Sequence, residues 1–236
     1  MSNTDVNKLR IELRALADSK RARILGRFFK TGKGQYGEGD VFLGVTVPQS
    51  RKLAKKFGDL KISEIKVLLK SKIHEERLVA LLNLVDQFQS ADDKNKKQIF
   101  DFYLKNTKYV NNWDLVDLTA EKIVGAYLLD KPKSILYKLA KSKNLWERRI
   151  AIVATYYFIK NNEFDDTLKI AKLLLFDNHD LLHKAVGWML REVGKKDQRV
   201  LEKFLKENYK NIPRTTLRYA IERFGQKLRQ AYLFRA

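Results

Sequence analysis

One pattern recurs in His183-Lys184-Ala185-Val186-Gly187 and in Leu217-Arg218-Tyr219-Ala220-Ile221, where a basic residue is followed by an apolar helical stretch. The same pattern begins at Arg149, so the steps to Lys184 and then to Arg218 are 35 and 34 residues. A fixed interval of this length indicates that the chain repeats one helical unit. A cation that recurs with each unit indicates a protein that binds a polyanion.

The repeat is interrupted once, within Trp113-Asp114-Leu115-Val116-Asp117. Arg77 begins an earlier copy of the pattern, and the 72 residues between it and Arg149 leave room for one more repeat. Asp114 stands there instead of a cation, 37 residues after Arg77 and 35 before Arg149. We therefore expect any chemistry to lie in this exceptional repeat.

The period predicts an all-α, HEAT-like helical-repeat solenoid with a concave basic groove. The tetratricopeptide and ankyrin signatures are absent, and a four-helix or globin-like bundle is the alternative fold. The whole chain, 1–236, is predicted to be one domain, with N-terminal helices in 1–58, a glycine-rich loop at 31–47 and repeats from about 60 to 231.

Apolar spacing predicts helix over most of the chain, and the only strand candidate, Val41–Val45, is interpreted as a buried loop leading to Pro48 in the first turn of a helix. The predicted helical patterns lie at 5–30, 48–58, 62–70, 73–88, 94–106, 112–129, 132–141, 144–160, 165–175, 179–195, 198–208 and 213–231.

The charge of the chain points to its partner. The sequence has 48 Lys and Arg against 28 Asp and Glu, a net charge of +20. Nucleic acid is the expected partner of such a chain, a membrane surface is the second candidate, and incidental charge is the third. The absence of cysteine, of a signal peptide and of a membrane-spanning run favours a cytoplasmic protein, which in a prokaryote would associate with the nucleoid.

Several motifs carry less weight. Gly32–Gly37 matches a dinucleotide-binding fingerprint, but no strand precedes it, so we interpret it as a loop in which Lys33 can reach a phosphate. His179 and His183 are four residues apart without a third ligand, so no metal site is predicted. His74 and His183 are expected at the surface or near phosphate. No cofactor is expected.

Asp117 is the most informative single residue. The repeat register places it in a column with Ala80, Ile152, Gly187 and Ile221, all apolar or small. A carboxylate in such a column either caps a neighbouring helix or is a partly desolvated group that faces the ligand. In a basic groove a carboxylate favours a bound state that develops positive charge, as the sugar does when a glycosidic bond breaks.

Two tryptophans accompany Asp117. Trp113 shares its helical face, four residues before it, and Trp188 follows Gly187, which we expect to leave open space. Trp188 is either a core residue or a ring that faces the ligand. Cation–π attraction of about 0.5–2 kcal/mol per ring would favour a positively charged nucleobase.

The chain resembles the AlkD-like DNA alkylation repair glycosylases, HEAT-like proteins that excise cationic N3- and N7-alkylpurines. The likeness is carried by Tyr36–Val45 with the following Pro48 and Arg51, then Trp113–Asp117, Trp146–Arg149 and Lys184–Glu192. It implies that Asp117 is the catalytic aspartate and that Trp113 and Trp188 flank the deoxyribose of the damaged nucleotide.

The resemblance also implies that Arg149 holds the DNA backbone, and we prefer it to Arg148 because it keeps the repeat register. Phe28 stands where some members have a tyrosine, so its ring could still meet DNA but could not offer a hydroxyl group to it. Members of this family are thought to act without a base-flipping pocket, and inactive paralogues exist.

The sequence therefore predicts a monomeric, monofunctional alkylpurine DNA glycosylase acting on duplex DNA. Asp117, Trp113 and Trp188 are the catalytic candidates. The alternative is a non-catalytic protein that binds DNA structure on the same scaffold. The predicted DNA contacts are Arg149, Arg148, Lys184, Arg218, Arg77, Phe28 and Lys33.

Overall fold

Capping side chains set where the helices begin. In the computed structural model, which describes residues 4–234, Asp18 accepts a hydrogen bond from the backbone N–H of Arg21 and begins α2, Ser19–Phe28. Thr46 and Gln49 form a reciprocal capping box at the start of α3, Val47–Lys56. Pro48 lies in the first turn of α3, as predicted. The capping residues in the sequence thus mark where these two helices begin.

The N-terminal unit ends at Thr119. Its core is formed by the apolar faces of α5 and of the helices on either side of it, and the buried residues include Leu9, Leu13, Ile65, Leu81 and Leu84. Its helices are α1 Thr4–Ala15, α2, α3, α4 Ile62–Leu69, α5 His74–Ser90, α6 Asp93–Lys105 and α7 Trp113–Ala120, with a short 3-10 helix at Thr107–Tyr109.

The C-terminal unit begins at Ala120 with a π-helical turn, Glu121–Gly125, which continues into α8, Ala126–Leu128. Its core includes Ile123, Ile150, Phe158, Leu190 and Leu205. The remaining helices are α9 Ser134–Ala140, α10 Leu145–Ala154, α11 Tyr156–Lys160, α12 Asp165–Leu174, α13 Asp180–Lys196, α14 Gln198–Asn208, α15 Arg214–Ala220 and α16 Gln226–Phe234, with a 3-10 turn at Tyr209–Asn211.

Within each unit, consecutive helices pack in pairs, as α4 does on α5 and α13 on α14. The described residues contain no strand beyond an isolated bridge between Val41 and Ile73. The prediction of an all-α, helical-repeat fold is therefore confirmed. The single continuous domain and the concave basic groove stay predictions.

Two predicted helices are wrong in extent. The pattern at 5–30 is broken at Leu16–Asp18, where the chain turns into α2. The pattern at 213–231 is also broken, because the chain leaves the helix after Ala220 and enters α16 only at Gln226. The first break is mostly apolar and ends at the capping residue Asp18, and the second ends at Gly225, so apolar periodicity alone detects neither.

Candidate active site

Two polar side chains fix the start of α7. The amide oxygen of Asn112 accepts a hydrogen bond from the backbone N–H of Trp113 at 2.8 Å. Asp114 Oδ1 accepts one from the backbone N–H of Leu115, also at 2.8 Å. These two hydrogen bonds therefore fix Trp113 as the first residue of α7. Helical spacing then places Trp113 and Asp117 on one face of the helix.

A buried ionic cluster lies behind this first turn. His74 is held between two carboxylates, with Nδ1 at 3.0 Å from Asp40 and Nε2 at 2.8 Å from Asp114. Asp40 also receives hydrogen bonds from Arg77 at 2.6 Å and from the side-chain amide of Asn112 at 3.2 Å. The cluster connects the loop before α3 to the starts of α5 and α7.

The cluster keeps His74 charged. Burial alone would lower its pKa, but hydrogen bonds to Asp114 and Asp40 outweigh burial and raise the pKa of His74 to about 9. Burial would raise the pKa of Asp40, yet the hydrogen bond from His74 and the charge of Arg77 hold that pKa below its usual value. Opposite charges thus compensate one another inside the protein.

Two predictions about this cluster are wrong. Arg77 was expected to contact DNA, but only 3% of it is exposed, and it donates to Asp40 and to the carbonyl of Ser71. His74, expected at the surface, is 1% exposed. Asp114 stands where other repeats have a cation, and its carboxylate pairs with His74.

Glu75 organises the loop that carries the aromatic residues of the site. Its buried carboxylate accepts hydrogen bonds from three consecutive backbone N–H groups, those of Leu43, Gly44 and Val45, at 2.8 to 3.2 Å. Gly44 has a positive φ of 83°, and a Cβ there would lie 2.2 Å from the carbonyl oxygen of Asp18. The segment is therefore a tightly fixed loop, as predicted, rather than a strand.

Four rings stack in series from Trp113 into the ionic cluster. Trp113 stacks on Phe29 with ring centres 4.9 Å apart, and Phe29 stacks on Phe42 at the same distance. Phe42 in turn stacks on His74 at 4.4 Å. Phe28, 61% exposed, meets Trp113 edge-on at 5.8 Å. This stack fixes the plane of the Trp113 ring and presents Phe28 to solvent.

An apolar cavity of about 380 Å³ opens beside these rings, and Trp113, Asp117 and Phe28 all line it. The resemblance implies action without a base-flipping pocket, and that stays a prediction. Two of the three catalytic candidates, Asp117 and Trp113, and the predicted DNA contact Phe28 are brought together around one space, whereas Trp188 lies in the other unit. Nothing in the sequence pattern signalled the cavity, because its walls come from the irregular loop as well as from α2 and α7.

Asp117 occupies the exceptional position that the register predicted. Ala80, Ile152 and Ile221 of the same column are completely buried, whereas Asp117 is half-buried at the cavity wall. Its charge reaches the buried phenol of Tyr103, whose pKa is raised first by burial and further by Asp117. Asp117 is thus a partly desolvated carboxylate that contacts open space.

Several further charged groups of the cavity wall have intramolecular partners. Both nitrogens of His74 meet carboxylates, and Glu75 is saturated by backbone N–H groups. Arg21 donates to the carbonyl of Gly44 and pairs with Asp18. The wall therefore combines aromatic surface with Asp117, and its remaining charges hold the architecture.

Arg148 and Arg149, from the C-terminal unit, both have intramolecular partners. Arg148 pairs with Asp177 at 2.6 Å and donates to the carbonyls of Ser142 and Lys143. Arg149 is 5% exposed and donates to the carbonyl of Leu181 at 2.5 Å. Contact of either arginine with DNA stays a prediction.

Lys184 and Arg218 come together on the wall of a second cavity, between α13, α15 and α16.

Trp188 is half-buried and lies at a tilt against Tyr156, with ring centres 5.7 Å apart. Lys33 is exposed in the loop, as predicted.

Gly187 does not leave open space, so that prediction is wrong. A Cβ at Gly187 would lie 2.5 Å from Cβ of Tyr219 and 2.7 Å from the carbonyl oxygen of Thr216. The missing side chain admits α15 directly against α13.

His179 and His183 have structural hydrogen bonds. His179 Nδ1 accepts from the backbone N–H of Leu181 at the start of α13, and His183 Nε2 lies 2.5 Å from the carbonyl oxygen of Asp177. In the described part of the chain, no group of three or more His, Asp and Glu side chains is arranged to hold a metal ion.

Within residues 4–234, every helix is too short or too polar to cross a bilayer.

Comparison with known proteins places the chain in a family. Residues 9–224 match the family model described as DNA alkylation repair enzyme, and the chain belongs to that family. Membership supports a role in DNA repair. Among solved structures, the chain is similar to a predicted DNA alkylation repair enzyme from Enterococcus faecalis, with a TM-score of 0.70 and 18% identity. That likeness covers 89% of this chain and 97% of the other, and it establishes the shared fold. No curated protein matches the sequence.

Proposed function

We propose that the protein is a DNA glycosylase that hydrolyses the N-glycosidic bond of cationic N3- and N7-alkylpurines in duplex DNA. The observation that carries this proposal is the placement of Asp117, a half-buried carboxylate at the wall of a cavity built from aromatic rings. The family match supports DNA as the substrate class.

The chemistry follows from charge development. When the bond between sugar and base breaks, the deoxyribose becomes an oxocarbenium-like cation. The carboxylate of Asp117 stabilises that cation more strongly than the neutral ground state, because charge at the sugar appears only as the bond breaks. The same oxygen atoms can orient a water molecule towards the anomeric carbon. The base departs with the bonding electron pair, the water supplies the hydroxyl group, and the other proton of the water passes to the carboxylate of Asp117 and then to solvent.

The aromatic residues position the nucleotide. Trp113 is held edge-on to Phe28 and stacked on Phe29, so it presents a fixed surface to the nucleotide. Trp188 is proposed as the second ring that contacts the damaged nucleotide. Lys33, Arg148, Arg149, Lys184 and Arg218 are proposed contacts of the phosphate backbone.

The test measures free base released from a methylated duplex. We expect release of 7-methylguanine and 3-methyladenine by the natural chain and a loss of about 100-fold or more in the Asp117→Asn variant. Asp86→Asn is the matched control, because it removes an exposed carboxylate of the same unit. Its rate should equal that of the natural chain.

Two results would contradict the proposal in different ways. Equal release by Asp117→Asn and the natural chain would remove Asp117 from the mechanism. Retained duplex binding without any base release by the natural chain would establish the non-catalytic alternative.

A further inference from the structure

The second cavity, in the C-terminal unit, has a charge imbalance. It measures about 390 Å³, and its charged wall residues are Asp180 from α13, Arg218 and Glu222 from α15 and the turn after it, Arg229 from α16, and Lys184. Three cations therefore face two carboxylates around one solvent-filled space.

Both carboxylates are already neutralised. Asp180 pairs with Lys184 at 2.7 Å, one turn along α13. Glu222 pairs with Arg191, which also contacts Glu192. The positive charge that remains on the wall is therefore that of Arg218 and Arg229.

Neither of these arginines has a side-chain partner within the described residues. Arg218 is exposed and its guanidinium makes no hydrogen bond or ion pair with residues 4–234. Arg229 Nε is buried and likewise lacks an acceptor in that part of the chain. A buried donor without an acceptor costs about 1–3 kcal/mol, so an anion that draws this guanidinium towards the cavity and accepts from it would recover this cost.

The two arginines are carried on anchored elements. Thr216 Oγ1 donates to the carbonyl of His183 at 3.1 Å, and Gly187 admits α15 against α13, which fixes the turn that carries Arg218. On α16, the backbone carbonyl of Tyr232 accepts from the hydroxyl of Tyr209 at 2.7 Å, and the Tyr232 ring packs against Phe224. The cations are thus held in place before any ligand binds.

We propose that this cavity binds one phosphate group, supplied by the backbone of duplex DNA and shared between Arg218 and Arg229. Guanidinium groups match the geometry of phosphate oxygens and bind them in a bidentate way. The sequence indicated Lys184 and Arg218 as separate phosphate contacts. The structure adds Arg229 to the wall of this cavity, where Lys184 is paired with Asp180. The proposal rests on the proposed DNA role, although it is independent of base release.

The first experiment measures how the affinity for an undamaged fluorescent duplex depends on salt. Each neutralised phosphate contributes about 0.9 to the slope of log K against log of salt concentration. The double variant Arg218→Gln/Arg229→Gln should lower that slope by about 0.9 if the arginines share one phosphate, and by about 1.8 if they contact two. Arg218→Lys/Arg229→Lys should restore the slope, because the charges remain.

Arg223→Gln is the matched control, since Arg223 is an exposed arginine in the turn between α15 and α16 and is absent from the wall of the cavity. Thermal unfolding of every variant checks that the fold is intact. All binding is measured in the Asp117→Asn background, so that the result does not depend on catalysis. A reduced slope in this background, together with no base release by the natural chain on a methylated duplex, would overturn the proposed function and leave the phosphate site standing.

A second experiment identifies the source of the phosphate. Inorganic phosphate is titrated into ¹⁵N-labelled protein at constant ionic strength, and the Arg Nε–H resonances are followed. A saturable shift at Arg229, absent with chloride, is expected. A shift without any change in the duplex slope would replace DNA by a free phosphate as the occupant. A slope unchanged within about 0.3 together with no shift, or a fall near 1.8, would overturn the shared site.

Discussion

At the residue scale, the exceptional position of Asp117 in the repeat could be predicted from the sequence. The buried ionic cluster near it could not. The repeat aligns Asp117 with positions that are apolar or small, so its exceptional character is visible in the sequence alone. His74 pairs with Asp40 and Asp114, which are 34 and 40 residues away. Asp40 lies in an irregular loop without a repeat register, and periodicity cannot predict which distant charges such a loop brings together.

The charged state of His74 leads to a pH-dependent stability. Its pKa is raised from 6.5 to about 9, so the extra stability is fully present below pH 6.5 and is lost as pH rises through 9. We expect the difference in unfolding free energy between the natural chain and His74→Gln to shrink by about 2–3 kcal/mol from pH 7 to pH 10. Urea unfolding at both pH values measures it.

His179→Gln is the control for this comparison. Burial lowers the pKa of His179, so this residue is neutral throughout the same interval and its variant should differ from the natural chain by a constant amount. A His74→Gln difference that did not change with pH would mean that the imidazole is neutral in the folded protein. The cluster would then be held by hydrogen bonds rather than by charge.

At the element scale, the sequence predicted helices well where apolar spacing and caps agree. The predicted 62–70 became α4, Ile62–Leu69, and the predicted 198–208 became α14, Gln198–Asn208. The sequence did not predict the helix end after Ala220, because no proline marks that end. It also could not show that Gly187 marks a close contact, because a glycine in a helical pattern is equally compatible with empty space and with a neighbouring backbone.

The contact at Gly187 predicts the effect of one methyl group. In Gly187→Ala, the new Cβ would lie 2.7 Å from a backbone oxygen of α15, which a side-chain rotation cannot relieve. We expect a loss of about 1–3 kcal/mol in unfolding free energy. Thermal and urea unfolding of the purified variant measure the loss.

Gly26→Ala provides the comparison, because Gly26 is also within a helix but its Cβ would have only ordinary contact, at 3.4 Å, with Thr31 Oγ1. That variant should be neutral or slightly more stable, since alanine favours helix more than glycine does by about 1 kcal/mol. Equal loss in both variants would attribute the effect to the substitution of helical glycine rather than to the packing of α15.

At the scale of the whole molecule, the net charge of +20 attracts any duplex, whether damaged or intact. Phosphate contacts fix the position of a protein on DNA without distinguishing one base from another. Affinity is therefore a poor source of selectivity for this chain. Under the proposed function, discrimination between lesions arises when the bond breaks, and it depends on what the cavity wall offers to the departing base.

Under the proposed function, the carboxylate of Asp117 on that wall would stabilise the sugar, and three other ionisable groups of the wall have intramolecular partners. His74 has both nitrogens bound to carboxylates, Glu75 is occupied by three backbone N–H groups, and Asp114 pairs with His74. A base that is already cationic leaves without protonation, whereas a neutral base needs a general acid. We therefore expect 7-methylguanine to be released at least about 100-fold faster than hypoxanthine, at saturating protein and in the same sequence context.

Single-turnover base release and equilibrium binding on the same two duplexes check this expectation together. The dissociation constants should agree within about threefold, since the phosphate contacts are shared. Release of hypoxanthine at a comparable rate would require a proton donor among the residues of the wall. Binding that favoured the 7-methylguanine duplex by the full ratio of rates would instead place recognition of the lesion before bond breaking, with Trp113 and Phe28 as the rings that contact it.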